Sequence, residues 1–389
     1  MDPAAALADM DELVEEVLLR SPPDDPAHLV RAALVCKRWC RILADAGFRR
    51  RFRKLHRTPP MLGILHRHTH ASYVTTFTAT SSFRPRNGDL LRDWCALDSR
   101  HGRVLLAGLP LRDDPSENNL SVWDPVTGEQ LELPEQPQHP NRVPFGWNAT
   151  VLCPDGACDH LDCGRGPFLV VVVGTDFDGG FVYAYSSEAG AWRDPTYAAH
   201  YGGDPLNFFF FDPCAYVENA LYFMFHRDMK PGILEYNLGT HEISQDLLPH
   251  YLDRGVLTTT ENGGLGFAAV DWSRLYLWSR EAGRDGYPIW AQSRTIELNI
   301  MFPADCPLLS SCMIGSVHGL HVFFVSTVDG IFSIDLKSGR MRKVCKERDI
   351  ENFVPYMSFC TPEMWMNKVG AFRCCLSPSL KRCLPHPWL

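Results

Sequence analysis

The chain of 389 residues has no stretch approaching the ~18 consecutive apolar residues that a membrane-crossing helix needs, so no helical span is expected. It also lacks an excess of positive charge: 46 acidic residues outnumber 38 basic ones, and the formal net charge of −8 argues against a general nucleic-acid binder. Catalytic signatures are missing too, with no G-x-S-x-G elbow, no phosphate-cradling glycine loop and no H-E-x-x-H. The chain is therefore expected to be non-catalytic and free of cofactors. No basic segment followed by an apolar one stands at its head, from which a cytoplasmic or nuclear protein is expected. In such reducing compartments the 14 cysteines read as thiols and not as a disulfide framework. What is present is 45% hydrophobic residues, enough for a sizeable core, in a length that suggests two or three units at about 150 residues each.

Residues 12–55 carry short helical patterns and little else. The first helix opens in an acidic turn, Asp9, Asp11 and Glu12, which suits the positive end of the helix dipole, and closes at Arg20 before Pro22-Pro23. On it Leu13, Val14, Val17 and Leu18 form an apolar stripe beside Glu12, Glu15 and Glu16. Asp25 as cap with Pro26 at the first helical position predicts a second helix carrying Leu29, Val30, Ala33 and Leu34. A third, roughly 36–44, groups Trp39, Ile42 and Leu43, with Gly47 as its stop. A block this short buries too little surface to be stable alone, so a partner or a supporting domain is expected. Arg49, Arg50, Arg51, Arg53, Lys54 and Arg57 follow, interleaved at helical spacing with Phe48, Phe52 and Leu55, and read as the solvated face of a packed helix.

The pattern E-L-x-x-E-x-L-x-R-x-P-P from Glu12, followed by leucines, V-C-K-R-W at Val35 to Trp39 and a basic helix, resembles the F-box in the form found in large plant families. The resemblance spans residues 7 to about 60; it departs at Leu7-Ala8, where the family has Leu-Pro, and at Ser21, where it has leucine. Any helical cap would also bury such leucines, and the V-C-K-R-W run separates the two readings. The resemblance implies docking on a Skp-type adaptor of a cullin-based ubiquitin ligase by helix-in-groove burial. The adaptor-facing residues would be Leu13, Val14, Val17, Leu18, Pro22, Leu29, Leu34, Val35, Cys36, Trp39 and Ile42.

After Pro59-Pro60 the helical period gives way to strands. Residues 120–128, 181–190, 233–239 and 331–339 each alternate bulky residues and end in a polar glycine turn. Upstream hairpins turn at residues 99–102, 218–219 and 318–319, with a weaker copy at 271–273. Asp124 to Asp335 spans 211 residues, four intervals of about 53, near the ~50 of kelch-type blades. The fold class expected is multidomain α plus all-β: a small helical F-box, residues 7–57, a linker 58–64, and a roughly six-bladed β-propeller over 65–365 resembling the F-box-associated propellers of plants. A large β-sandwich is the alternative. Because residues 366–389 offer no apolar run for closing a ring, closure is expected from strands before Trp365 with residues 62–77, and a loosely ordered tail after them.

Candidate chemistry in the strand-rich part is thin. Cys153, Cys158, His160 and Cys163 offer four zinc ligands in eleven residues, a tetrahedral set only if the loop folds back on itself; the expectation is a long inter-strand loop with free thiols. His66, His68 and His70 alternate as on an exposed strand face, and Asp176 and Asp178 before Gly179-Gly180 read as turn chemistry. The function expected is a substrate receptor holding adaptor and cullin through the helices and an unknown target protein through the propeller, with neither nucleic acid nor membrane as partner. A propeller-based enzyme and an F-box scaffold outside a ligase are the alternatives.

Overall fold

The computed structural model describes residues 11–68, 74–137, 146–156, 158–161, 163–176, 179–199, 208, 212–227, 230–249, 255–283, 288–302, 312–317, 319–346 and 350–361. The tail expected beyond residue 365, His70 and Asp178 lie outside them.

Four helices open the described chain: α1 (Asp11–Leu19), α2 (Ala27–Val35), α3 (Lys37–Ala44) and α4 (Ala46–His56). Asp25 Oδ1 accepts from the Ala27 amide at 3.2 Å, so it caps α2 as its sequence predicts. The break after α3 falls elsewhere. Asp45 leaves the helical region and its Oδ1 accepts from the Phe48 amide at 3.1 Å, which ends α3 and starts α4, while Gly47 lies inside the first turn of α4. A carboxylate able to satisfy the orphan amides of a new helix outweighs the glycine as punctuation.

The rest is a ring of six antiparallel sheets. The chain enters it at β1 (Met61–His68) and β2 (Thr76–Ala79). The blades that follow are β3 (Trp94–Arg100), β4 (Arg103–Gly108), β5 (Leu120–Asp124) and β6 (Glu129–Glu132); then β7 (Gly146–Leu152), β8 (Leu169–Thr175), β9 (Gly179–Ser186) and β10 (Ala191–Trp192), with β11 (Thr196–Ala199) added on β9. Next come β12 (Ala215–Val217), β13 (Ala220–Arg227), β14 (Lys230–Asn237) and β15 (Ile243–Leu247), then β16 (Gly255–Thr259), β17 (Leu265–Asp271), β18 (Arg274–Ala282) and β19 (Pro288–Glu297). The last are β20 (Cys312–Val317), β21 (Val322–Thr327), β22 (Gly330–Asp335) and β23 (Arg340–Cys345), and finally β24 (Ile350–Met357), which pairs with β1 to complete the sixth blade as β2-β1-β24. The closing pair joins the 62–77 region to a strand before Trp365, as expected.

First strands lie around the axis, with β24 beside β3, β3 beside β7, β12 beside β16, β16 beside β20 and β20 beside β24. Six apolar clusters fill the six gaps between blades. This is why the middle strands lack the alternation of a half-exposed sheet. On β8, Val170 and Val172 face one gap and Val171 and Val173 the next, so a strand of period two buries both sets. His66 on β1 is buried for the same reason, its Nε2 2.9 Å from Thr78 Oγ1, and not on an exposed face as its spacing suggested. Glycines at positions 174 and 232 sit opposite Phe181 and Phe225, whose rings would meet an added Cβ at 2.3 and 2.4 Å.

The four turn-ending segments of the sequence are the third strands of four blades, β5, β9, β14 and β22, and three of their turns share one device, the turn after β9 using Ser186 Oγ instead. Asp124, Asn237 and Asp335 each accept two amides of the following turn with Oδ1, from Val126 and Thr127, from Gly239 and Thr240, and from Lys337 and Ser338, at 2.8 to 3.3 Å. The hairpins at 101–102, 218–219 and 319–321 join first to second strands. The weaker copy at 272–273 joins β17 to β18, a second to a third strand, because one antiparallel hairpin resembles the next when only alternation is read. A ring of separate sheets with apolar gaps replaces the sandwich alternative.

Candidate docking faces of the helices and the ring

The eleven residues singled out on the helices divide by environment. Val14, Leu18 and Leu29 are buried in a core with Leu19, Ala33, Leu43, Phe48 and Phe52, and Trp39 and Ile42 pack against it. These five hold the helices together. Leu13, Val17, Pro22, Leu34, Val35 and Cys36 are exposed, Val17 and Val35 at 61% and 63%. Leu13 and Val17 are one turn apart on α1, and Leu34 to Cys36 form the α2–α3 junction, where Cys36 Sγ accepts from the Trp39 amide at 3.5 Å. These exposed apolar side chains lie outside the helical core.

Most of the basic run is the expected solvated face, with Arg50, Arg51, Lys54 and Arg57 exposed, while some of its members are also engaged. Arg51 pairs with Glu15, Arg49 Nη1 donates to the Ala44 carbonyl at 3.1 Å, and Arg53 is buried, its pKa drawn down to about 10 by burial and by the positive charges of Arg49 and Arg165.

Helix α4 seats on the ring at the end where the first strands finish. Phe359, just past β24, joins the helical core with its ring 6.2 Å from Phe52, and Leu161, in the β7–β8 loop, packs against the same core. Between α4 and the axis lies a cavity of about 460 Å³ bordered by Arg53, Arg57, Asp98, Arg100, His160 and Asp212. Arg100 is fixed in it, donating from Nη2 to the Cys214 carbonyl at 2.6 Å and from Nε to Asp98 at 3.2 Å. Burial pushes the Asp212 carboxyl up to about 7. The opposite end of the ring carries the long connection 109–119, held by Asn118, whose side chain accepts from the Arg112 amide at 2.9 Å and donates to the Arg112 and Asp114 carbonyls.

The Cys/His loop does fold back. The ligand atoms of Cys153, Cys158, His160 and Cys163 all lie within 4.8 Å of one another, where spacing alone suggested a set of separate thiols. Burial and the neighbouring Cys153 and Cys158 thiols push the Cys163 thiol up to about 12. Asp176 closes the β8–β9 turn as expected, its Oδ1 accepting from the Gly179 amide at 2.9 Å.

The molecule is thus a helical block with exposed apolar side chains, seated on a closed ring of blades. Residues 11–51 match the F-box domain family, so the chain carries an F-box domain followed by a six-bladed β-propeller. No curated protein sequence matches the chain. Among solved structures it is similar to a GH93 α-L-arabinofuranosidase of Fusarium graminearum (11% identity, 74% of this chain and 87% of that one, TM-score 0.39). TolB from Acinetobacter baumannii matches at 12% identity over 78% and 69% of the two chains, with a TM-score of 0.36. The WD40 domain of SCAP from fission yeast matches at 12% over 66% of this chain, with a TM-score of 0.33, and this chain spans only about half, 52%, of that one. Likeness at this level carries no argument, and the ring stands on its own strand pairing.

Proposed function

We propose that the protein is the substrate-recognition subunit of a Skp-cullin-F-box type ubiquitin ligase, of the plant type with kelch-like blades, acting in the cytoplasm or nucleus. The observation that carries this reading is an F-box domain whose Leu13, Val17, Leu34 and Val35 stand exposed while Val14, Leu18, Leu19, Leu29, Leu43, Phe48 and Phe52 form a core. Those residues fit the groove of a Skp-type adaptor, which bridges to cullin. The end of the ring away from the helices, with the braced loop 109–119, is suited to hold a target protein, since recognition sits on loops carried by a rigid scaffold. The chain supplies no nucleophile, and transfer of ubiquitin is accelerated by proximity within the assembly.

The test is co-expression of the full chain with a Skp-type adaptor and cullin, followed by affinity purification and size-exclusion chromatography. A stoichiometric complex of all three supports the ligase reading. Adaptor without cullin would favour a scaffold, and failure to retain the adaptor would sink the assignment.

A further inference from the structure

The β7–β8 loop gathers three thiols and an imidazole. Cys153 is fixed by the last rung of β7, Cys163 opens a short 3-10 turn through Arg165, and between them the chain doubles back, with the Cys158 amide donating to the Asp155 carbonyl at 3.2 Å and the Gly166 amide to Cys163 at 2.9 Å. His160 takes a left-handed φ of +55°, sparsely populated for a residue with a Cβ, and this aims its ring at the sulfurs. Its Nδ1 lies 3.6 Å from Cys163 Sγ. In a tetrahedral zinc site, Zn–S of about 2.3 Å and Zn–N of about 2.05 Å set sulfur–sulfur edges of about 3.8 Å and sulfur–nitrogen edges of about 3.5 Å. Ligand atoms within 4.8 Å of one another need only a small contraction to reach those values.

We propose that Cys153, Cys158, His160 and Cys163 form a closed Cys3His zinc site that clasps the F-box to the propeller. Soft thiolates with an imidazole select zinc over calcium or magnesium, which take oxygen ligands. The four atoms sit too close together for the spread of an iron–sulfur cluster. Four protein ligands leave no open position, so the site is structural and not catalytic.

The surroundings suit a charged metal centre. Three thiolates and a divalent ion leave one negative charge, and Arg103 stands at the loop, its Nη2 donating to the Gly166 carbonyl. The His160 amide donates to Cys158 Sγ at 3.4 Å, a bond that favours thiolate, and the His160 ring is held by stacking on His101 with centroids 4.1 Å apart. Cys153 is buried and the other three are half-buried, which leaves a path for the ion. The clasp follows from connectivity: Leu161, between ligands His160 and Cys163, is the loop's contact with the F-box core. Fixing both ligands fixes that contact. Nothing in this proposal depends on the ligase reading.

The full chain, purified without chelators from cells supplied with zinc, should carry about one zinc per chain by elemental mass spectrometry. Cys158→Ser with Cys163→Ser should lose nearly all of it, while Cys312→Ser, an exposed cysteine of another blade, should keep it. Because the double variant could misfold, two measurements use the wild type. Cobalt substitution should give the intense visible bands of a tetrahedral thiolate site, and Cys153, Cys158 and Cys163 should resist alkylation until a chelator is added. Wild-type protein without zinc or cobalt bands, or a mass two hydrogens lower that reports a disulfide in this loop, would overturn the site. For the clasp, chelation should speed amide exchange several-fold in α4 and leave β13 and β14 unchanged; unchanged exchange in α4 would remove the clasp even with zinc bound.

Discussion

Within residues 11–56 the F-box leaves Leu13, Val17, Leu34, Val35 and Leu55 exposed, while the described part of the propeller, several times longer, leaves six large apolar side chains exposed. The propeller distributes its apolar residues over six gaps, each filled from both sides. The F-box has one small core, which it completes by borrowing Leu161 and Phe359 from the ring. A unit that closes on itself satisfies its own surface, whereas a short helical block keeps part of its burial for contacts outside itself.

The sharpest way to break this contrast is to open the ring. Tyr356 is fully buried in the closing blade, stacks 5.9 Å from Phe83 and donates from its hydroxyl to the Gly102 carbonyl at 3.2 Å. Tyr356→Ala should destabilise the propeller by about 3–5 kcal/mol in urea unfolding, as other buried aromatic truncations do. A loss under ~1 kcal/mol would mean that the ring does not depend on its closing blade.

The F-box should answer in binding and not in folding. Val17→Asp with Val35→Asp should weaken adaptor binding by about 2–4 kcal/mol in calorimetry and leave the melting temperature nearly unchanged, because neither side chain is in the core. Leu18→Asp should instead unfold the helices. Equal affinity for the double variant and the wild type would show that the exposed row is not the adaptor's footprint.

The smallest effect concerns the turns that set the blade edges. Asp335→Ala removes the acceptor of two turn amides and should cost about 1 kcal/mol at neutral pH. Burial acts to raise the Asp335 pKa, but hydrogen bonds from Ser338 and Lys337 outweigh it and hold the carboxyl below its ordinary value. Its stabilisation is therefore complete above the unfolded-state pKa of about 3.9 and fades as pH falls through the folded value. The gap between wild type and variant should close below that range; a gap that widens in acid would contradict the assignment.

Much of this was legible beforehand, for reasons particular residues make plain. V-C-K-R-W marks the F-box because Cys36 caps α3 and Trp39 packs on the core, roles confined to a few adjacent positions. Three third strands announce themselves because Asp124, Asn237 and Asp335 accept the amides of the turns that follow. Alternation says less where both faces are buried, so His66 was misplaced on a surface and the hairpin at 272–273 was assigned one strand early. Nor does helical spacing tell Val17 from Leu18, neighbours on one turn of which only the second enters the core. The Cys/His loop was the least legible, because its convergence depends on a left-handed residue and a short 3-10 turn that no periodicity encodes.

Strand β24 and Phe359 lie within ten residues of each other, and both complete something begun at the start of the chain: β24 pairs with β1, and Phe359 enters the core formed by α1 to α4. The helices are translated well before the segment that finishes them. A chain interrupted before Ile350 thus has an open ring and an F-box short of one aromatic wall. The same few residues tie the two cores together, so the helical core gains its last aromatic wall only on a chain that also carries the strand closing the ring.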